Sequence, residues 1–133
     1  MAILYAPKGY KDLNPDEKER ICNGAGPAHF GWLVPDTIWG LSITEAANIH
    51  DFMYWAGETL EDKEEADRVF LNNMVRLIES KTSFIGMALK PLRLHRAGLY
   101  FKAVDQFGGP AFWAGKNTKE TLMSVARIVR KVA

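Results

Sequence analysis

His50 and Asp51 are adjacent in a segment patterned as a helix, and they carry opposite kinds of chemistry. An imidazole can take a proton near neutral pH, whereas a carboxylate can hold a cation. Successive helical residues point about 100° apart, so the two side chains serve different directions. Tyr54 lies four residues after His50 and shares its face. Asp67 falls on an apolar stripe with Phe70, Leu71, Met74 and Ile78. A buried carboxylate needs a donor, and a histidine on the preceding antiparallel helix is a candidate. Asn23-Gly24-Ala25-Gly26-Pro27 is a Gly-x-Gly turn that can aim carbonyl oxygens at one point, as a hard cation requires. Each piece also has a plainer reading. His50 could be a satisfied half-buried histidine and Asp51 a surface carboxylate. Asp67 could sit at the stripe's edge against Arg68, Lys63 or water. The glycines could form an ordinary turn, and they lack the Lys-Ser/Thr ending of a nucleotide loop.

These residues require helices to position them. Asn14 is a fit N-cap for a short helix over Pro15 to Ile21, with Asp16 and Glu17 favourable in its first turn. Residues 22–41 read as loop. Ser42-Ile-Thr-Glu45 reads as a capping box opening a helix that runs to about Ala56 and stops at a left-handed Gly57. Thr59 and Asp62 flank a second start, and Ala66, Val69, Phe70, Met74, Leu77 and Ile78 recur at helical spacing up to about Ser80. A third helical region covers 84–107, with Pro91 suited to a first turn and Leu92, Leu99 and Ala103 on one face. Gly108 to Gly115 reads as loop, and Thr118 to Val132 as a terminal helix with Leu122, Val125, Ala126 and Val129 on one side. Few segments alternate with period two, so the expected fold is mostly α.

The chain of 133 residues suits one domain, 1–133, able to bury a core without metals or disulfides. Its single cysteine, Cys22, excludes an intramolecular disulfide. No leader-like or membrane-spanning segment is read, so the expectation is a cytoplasmic protein as synthesised. Charge is unevenly placed. Residues 1–80 carry 7 basic and 14 acidic side chains, and residues 81–133 carry 10 basic and 2 acidic. The basic portion could meet an anionic lipid surface or nucleic acid. The favoured reading is that the two portions face each other within the fold.

Taken together, Gly24-Ala-Gly26, His50-Asp51-Phe-Met-Tyr54 and Asp67 resemble the phospholipase A2 superfamily over about residues 20–80. The compact spacing is more similar to its bacterial, fungal and viral-capsid members than to venom or pancreatic ones. The resemblance implies a small helical domain with two antiparallel active-site helices, and residues 81–133 as additional helices. It implies calcium-dependent hydrolysis of the sn-2 ester of phospholipids. His50 would be the general base, Asp67 its orienting partner, and Tyr54 a support for Asp67. Calcium would be held by Asp51 and the carbonyls of Cys22, Gly24 and Gly26. The partners implied are a phospholipid substrate and peripheral membrane contact, with no nucleic acid.

The departures from the family are specific. Where secreted members place cysteines, this chain has Ala46-Ala47, Met53, and Glu64 with Ala66. The interval from Gly26 to His50 is longer, and Asp36 within it could supplement the site. No second tyrosine supporting Asp67 is identified by motif. Trp32, Trp39, Trp55, Phe112 and Trp113 could form an apolar mouth or serve as core. His29 and His95 are read as structural or surface residues. Two other readings remain open. One is a helical lipid- or partner-binding module without turnover. The other is a His-Asp phosphohydrolase that would use His29 and His95 on manganese or iron.

Overall fold

The computed structural model describes residues 3–22, 35–114 and 116. Its order is α1 (Lys8–Lys11), α2 (Pro15–Cys22), β1 (Thr37–Ile38), β2 (Leu41–Ser42), α3 (Thr44–Ala56), α4 (Leu60–Glu79), α5 (Phe84–Phe107) and α6 (Gly109–Trp113). The class is mostly α, as its periodicity implies. The calls on Gly24, Gly26, His29, Trp32 and the 118–132 helix lie outside the described residues.

α2 starts as its sequence dictates. The Asn14 side chain accepts from the Glu17 amide at 2.8 Å, and Glu17 accepts from the Asn14 amide at 3.1 Å. The capping box expected at Ser42 and Glu45 does not form. Ser42 belongs to β2, Ile43 holds the N-cap position of α3 without a side-chain bond, and Glu45 accepts from the Tyr10 hydroxyl instead. The box at the start of α4 does form: the Thr59 hydroxyl accepts from the Asp62 amide, and the Asp62 carboxylate accepts from the Thr59 and Glu58 amides.

The reading of 22–41 as loop is corrected over its described part by a hairpin. Thr37 pairs with Ser42 and Ile38 with Leu41, around a two-residue turn in which Trp39 and Gly40 have φ of 45° and 78°. Positive φ at both central residues suits the twist of a tight hairpin. The unusual tryptophan conformation is held from α5, where Arg93 Nη2 donates to the Trp39 carbonyl at 2.9 Å.

α3 and α4 are antiparallel. Ala46, near the start of α3, shares a cluster with Met74 and Ile78 near the end of α4, whereas Tyr54, near the end of α3, packs with Ala66. Gly57 ends α3 as expected, but with φ −72° and ψ 156° it is extended rather than left-handed. Space is its requirement: a Cβ there would lie 2.8 Å from the Phe112 ring and 2.9 Å from the Met53 carbonyl.

α5 begins at Phe84, capped by Ser83, so Pro91 lies well inside it rather than in its first turn. Pro91 is exposed, so the Met87 carbonyl it leaves without an i+4 donor is on the wet side. The face that α5 buries carries Ala97, Tyr100 and Val104; of the residues read as sharing one face, Ala103 packs against this core while Leu92 and Leu99 are exposed. The expected 108–115 loop is replaced over Gly109–Trp113 by α6, which seats Phe112 against Tyr54. Three apolar clusters result. Ile38, Leu41 and Ile43 pack with α4 and α5; α1 and α2 pack through Tyr10 and Ile21 on Ile49, Phe52 and Val69; α6 packs on Tyr54 and Ala66. Among the described residues, no ion pair joins the acidic portion before Lys81 to the basic portion after it.

Candidate functional site

The α3–α4 pair brings four polar side chains into the core. His50 and Asp67 are 2% and 1% exposed, and His50 Nε2 lies 2.8 Å from Asp67 Oδ1. The Tyr54 hydroxyl donates to the same oxygen at 2.7 Å. Asp67 Oδ2 accepts from Lys63 Nζ at 2.8 Å, and Lys63 also donates to the Val104 and Asp105 carbonyls at 3.1 and 3.3 Å. Those carbonyls lie near the C-terminal end of α5, where the helix dipole favours a cation.

The expected His50–Asp67–Tyr54 set is therefore brought together. Asp67 also pairs with Lys63, one of the partners its plainer reading named, but it does so fully buried rather than at the stripe's edge. The signal for Lys63 was its place four residues before Asp67 on one helix face. Arg68 pairs with Glu65 instead.

The electrostatics define the proton positions. Burial pushes the Asp67 carboxyl up, but the hydrogen bonds from His50 and Lys63 and the Lys63 charge outweigh it and leave it below its ordinary value. An ionised Asp67 only accepts, so His50 Nε2 carries the proton in this pair. Burial lowers the His50 pKa, with Asp67 opposing and Lys63 adding to the fall, so the imidazole is neutral near pH 7. Burial and the Asp67 charge push the Tyr54 hydroxyl far up, keeping it a donor. The His50 ring stacks at 4.2 Å from Tyr54 and 4.7 Å from Phe70, which fixes its plane.

Asp51 is 6% exposed, which corrects its reading as a surface carboxylate. Among the described residues no hydrogen bond or ion pair reaches it. Burial pushes its carboxyl up to about 8. Cys22, the last residue of α2, is buried beside the start of the Gly-x-Gly segment, and its thiol donates to the Asn48 carbonyl at 3.3 Å. Burial, and then the charge of Asp51, push that thiol up to about 11, so it is not a nucleophile at neutral pH. Gly24 and Gly26 lie outside the described residues. Among the described residues no group of three or more His, Cys, Asp or Glu side chains could hold a metal. His95 is exposed on α5, and Asp36 is exposed before β1.

Of the aromatic residues, Phe112 is fully buried, whereas Trp39 and Trp55 are exposed at 47% and 56%. Gly108 is a position beside the network that sequence reasoning missed. A Cβ there would lie 2.5 Å from the Tyr54 hydroxyl, so the glycine is what lets α5 end against the network.

No helix among the described residues is long and apolar enough to cross a membrane. Comparison with curated proteins and with solved structures gives no match. Residues 26–85 match the family model described as a protein of unknown function, DUF1353, and that stretch holds His50, Asp51, Tyr54, Lys63 and Asp67.

Proposed function

We propose that this protein is a calcium-dependent hydrolase of the phospholipase A2 type, acting on the sn-2 ester of phospholipids. The observation that carries the proposal is the buried His50–Asp67 pair with the Tyr54 hydroxyl on the same carboxylate oxygen. With Nε2–H given to Asp67, Nδ1 is the nitrogen that takes a proton. In this mechanism His50 Nδ1 accepts a proton from water as the water oxygen bonds to the ester carbonyl carbon. Asp67 holds the tautomer and stabilises the imidazolium. When the tetrahedral intermediate collapses, the C–O bond to the glycerol oxygen breaks and Nδ1 returns the proton to that oxygen. Calcium, bound by Asp51 and the carbonyls of Cys22, Gly24 and Gly26, would supply positive charge for the substrate phosphate and the developing oxyanion. Tyr54 and Lys63 keep Asp67 ionised and fixed.

The near-complete burial of His50 favours a second reading, in which the same network is a structural tie in a lipid- or partner-binding module. Fatty-acid release from mixed phospholipid vesicles separates the two. The hydrolase reading expects release that requires calcium, is stopped by chelator, and falls by at least about 10²-fold in His50→Ala. A folded wild-type protein that releases no fatty acid from any lipid rejects it in favour of the module.

A further inference from the structure

Four features meet where α5 begins. A groove of about 350 Å³ is lined by Lys81, Ser83, Arg93 and Ser42, with Ile85 and Gly86 beside them. Arg93 is only 8% exposed, and its Nε has no hydrogen-bond partner although Nη2 is satisfied by the Trp39 carbonyl. A buried donor left unmet is costly, and Arg93 also brings a guanidinium charge to the lining of the groove. The groove also reaches the positive end of the long α5 helix, whose first turn holds no acidic residue. Immediately beside it, Phe84, Ile85 and Met87 are 88%, 67% and 56% exposed. Single exposed apolar side chains are ordinary, but three large ones at one corner mark a contact surface.

The surrounding charge decides what covers that corner. From Glu79 to Val104 the chain carries Lys81, Lys90, Arg93, Arg96 and Lys102 against one carboxylate, the exposed Glu79. None of these five takes part in an ion pair with any described residue. A second copy of the same face would set these cations against one another. An anionic bilayer presents phosphates above an apolar interior, and so complements both the cations and the exposed apolar residues.

We infer that the N-terminal end of α5 docks on an anionic phospholipid bilayer, with a lipid phosphate in the groove of Lys81, Ser83 and Arg93 and with Phe84, Ile85 and Met87 in the acyl boundary. The surface is built on α5 and the loop before it, apart from His50 and Asp67 on α3 and α4, and binding there requires no turnover. Docking therefore stands or falls independently of ester hydrolysis.

The test is sedimentation with vesicles of phosphatidylcholine alone or mixed with phosphatidylglycerol. Chelator is present throughout, so calcium-dependent hydrolysis plays no part. Lys81→Glu and Phe84→Asp alter exposed positions, and circular dichroism checks that both variants remain folded. Binding is expected only to the phosphatidylglycerol vesicles and is expected to weaken with salt. Lys81→Glu should weaken it about thirtyfold, since each cation near the surface contributes and reversal counts twice. Phe84→Asp should weaken it by at least about tenfold. Equal binding to neutral vesicles, no binding to either, or wild-type binding by either folded variant overturns the inference. So does self-association of the wild type that Phe84→Asp abolishes, which would make the face a contact between copies.

Discussion

Lys63→Met removes one charge from the buried network and leaves most of the aliphatic volume in place. Lys63 and Asp67 are 4% and 1% exposed, so water screens their attraction little. Breaking a buried pair by removing one partner costs about 3–5 kcal/mol. The Val104 and Asp105 carbonyls lose their cation as well. His50 can offset part of the loss. In the wild type, burial and then the Lys63 charge hold the imidazole below its ordinary value of 6.5, against the pull of Asp67. Without Lys63, the imidazolium is the remaining cation facing Asp67 and its pKa rises. A higher folded pKa for His50 in the variant than in the wild type lessens the destabilisation as pH falls, because protonation then favours the folded variant more. The destabilisation should thus be about 4 kcal/mol near pH 8 and smaller toward pH 5, where the imidazolium forms more readily in the variant than in the wild type. Urea unfolding followed by circular dichroism at the two pH values measures both quantities. A loss under about 1 kcal/mol near pH 8, or one that does not shrink toward pH 5, refutes the reasoning.

Three further outcomes follow from the same geometry. Because Asp51 is pushed up to about 8 by burial, the folded protein binds more protons there than the unfolded chain. Calcium-free stability should therefore fall as pH rises from about 6.5 to 8, and Asp51→Asn should remove that slope in urea titrations. Gly108→Ala places a methyl group 2.5 Å from the Tyr54 hydroxyl and should cost about 1–3 kcal/mol, read as a lowered Tm. Thr59→Ala removes the N-cap of α4 and should cost about 1 kcal/mol by denaturant midpoint, without altering the His50 environment seen by NMR.

The residues that make the site were legible because their neighbours on one helix face are close in sequence. His50 and Tyr54 share a turn of α3, and Asp67 stood out as a carboxylate on an apolar stripe. Lys63 was visible only as a competing partner, since spacing alone does not say that a lysine will be buried. Its burial depends on carbonyls at the far end of α5, forty-one residues away, which no local pattern reports. The same limit explains Ser42. Its pattern with Glu45 matches a capping box, but pairing with Thr37 draws Ser42 into β2, and Tyr10 claims Glu45. Trp39-Gly40 was not a recognisable hairpin turn, because the tryptophan's left-handed backbone is held by Arg93 from a distant helix. α5 misled because it is apolar on both sides, so its core face could not be told from its exposed one.

The network around Asp67 has a consequence for which parts of the chain are free to vary. All four of its side chains, His50, Tyr54, Lys63 and Asp67, come from the α3–α4 hairpin. What α5 contributes is two backbone carbonyls, and every amino acid supplies a carbonyl. The identities of Val104 and Asp105 are therefore unconstrained by hydrogen bonding, provided the helix ends where it does and Gly108 stays small. Saturation mutagenesis should accordingly find a narrow vocabulary at the four hairpin positions. It should find a wide one at Asp105, which is exposed, and an apolar but chemically varied one at Val104, which is buried.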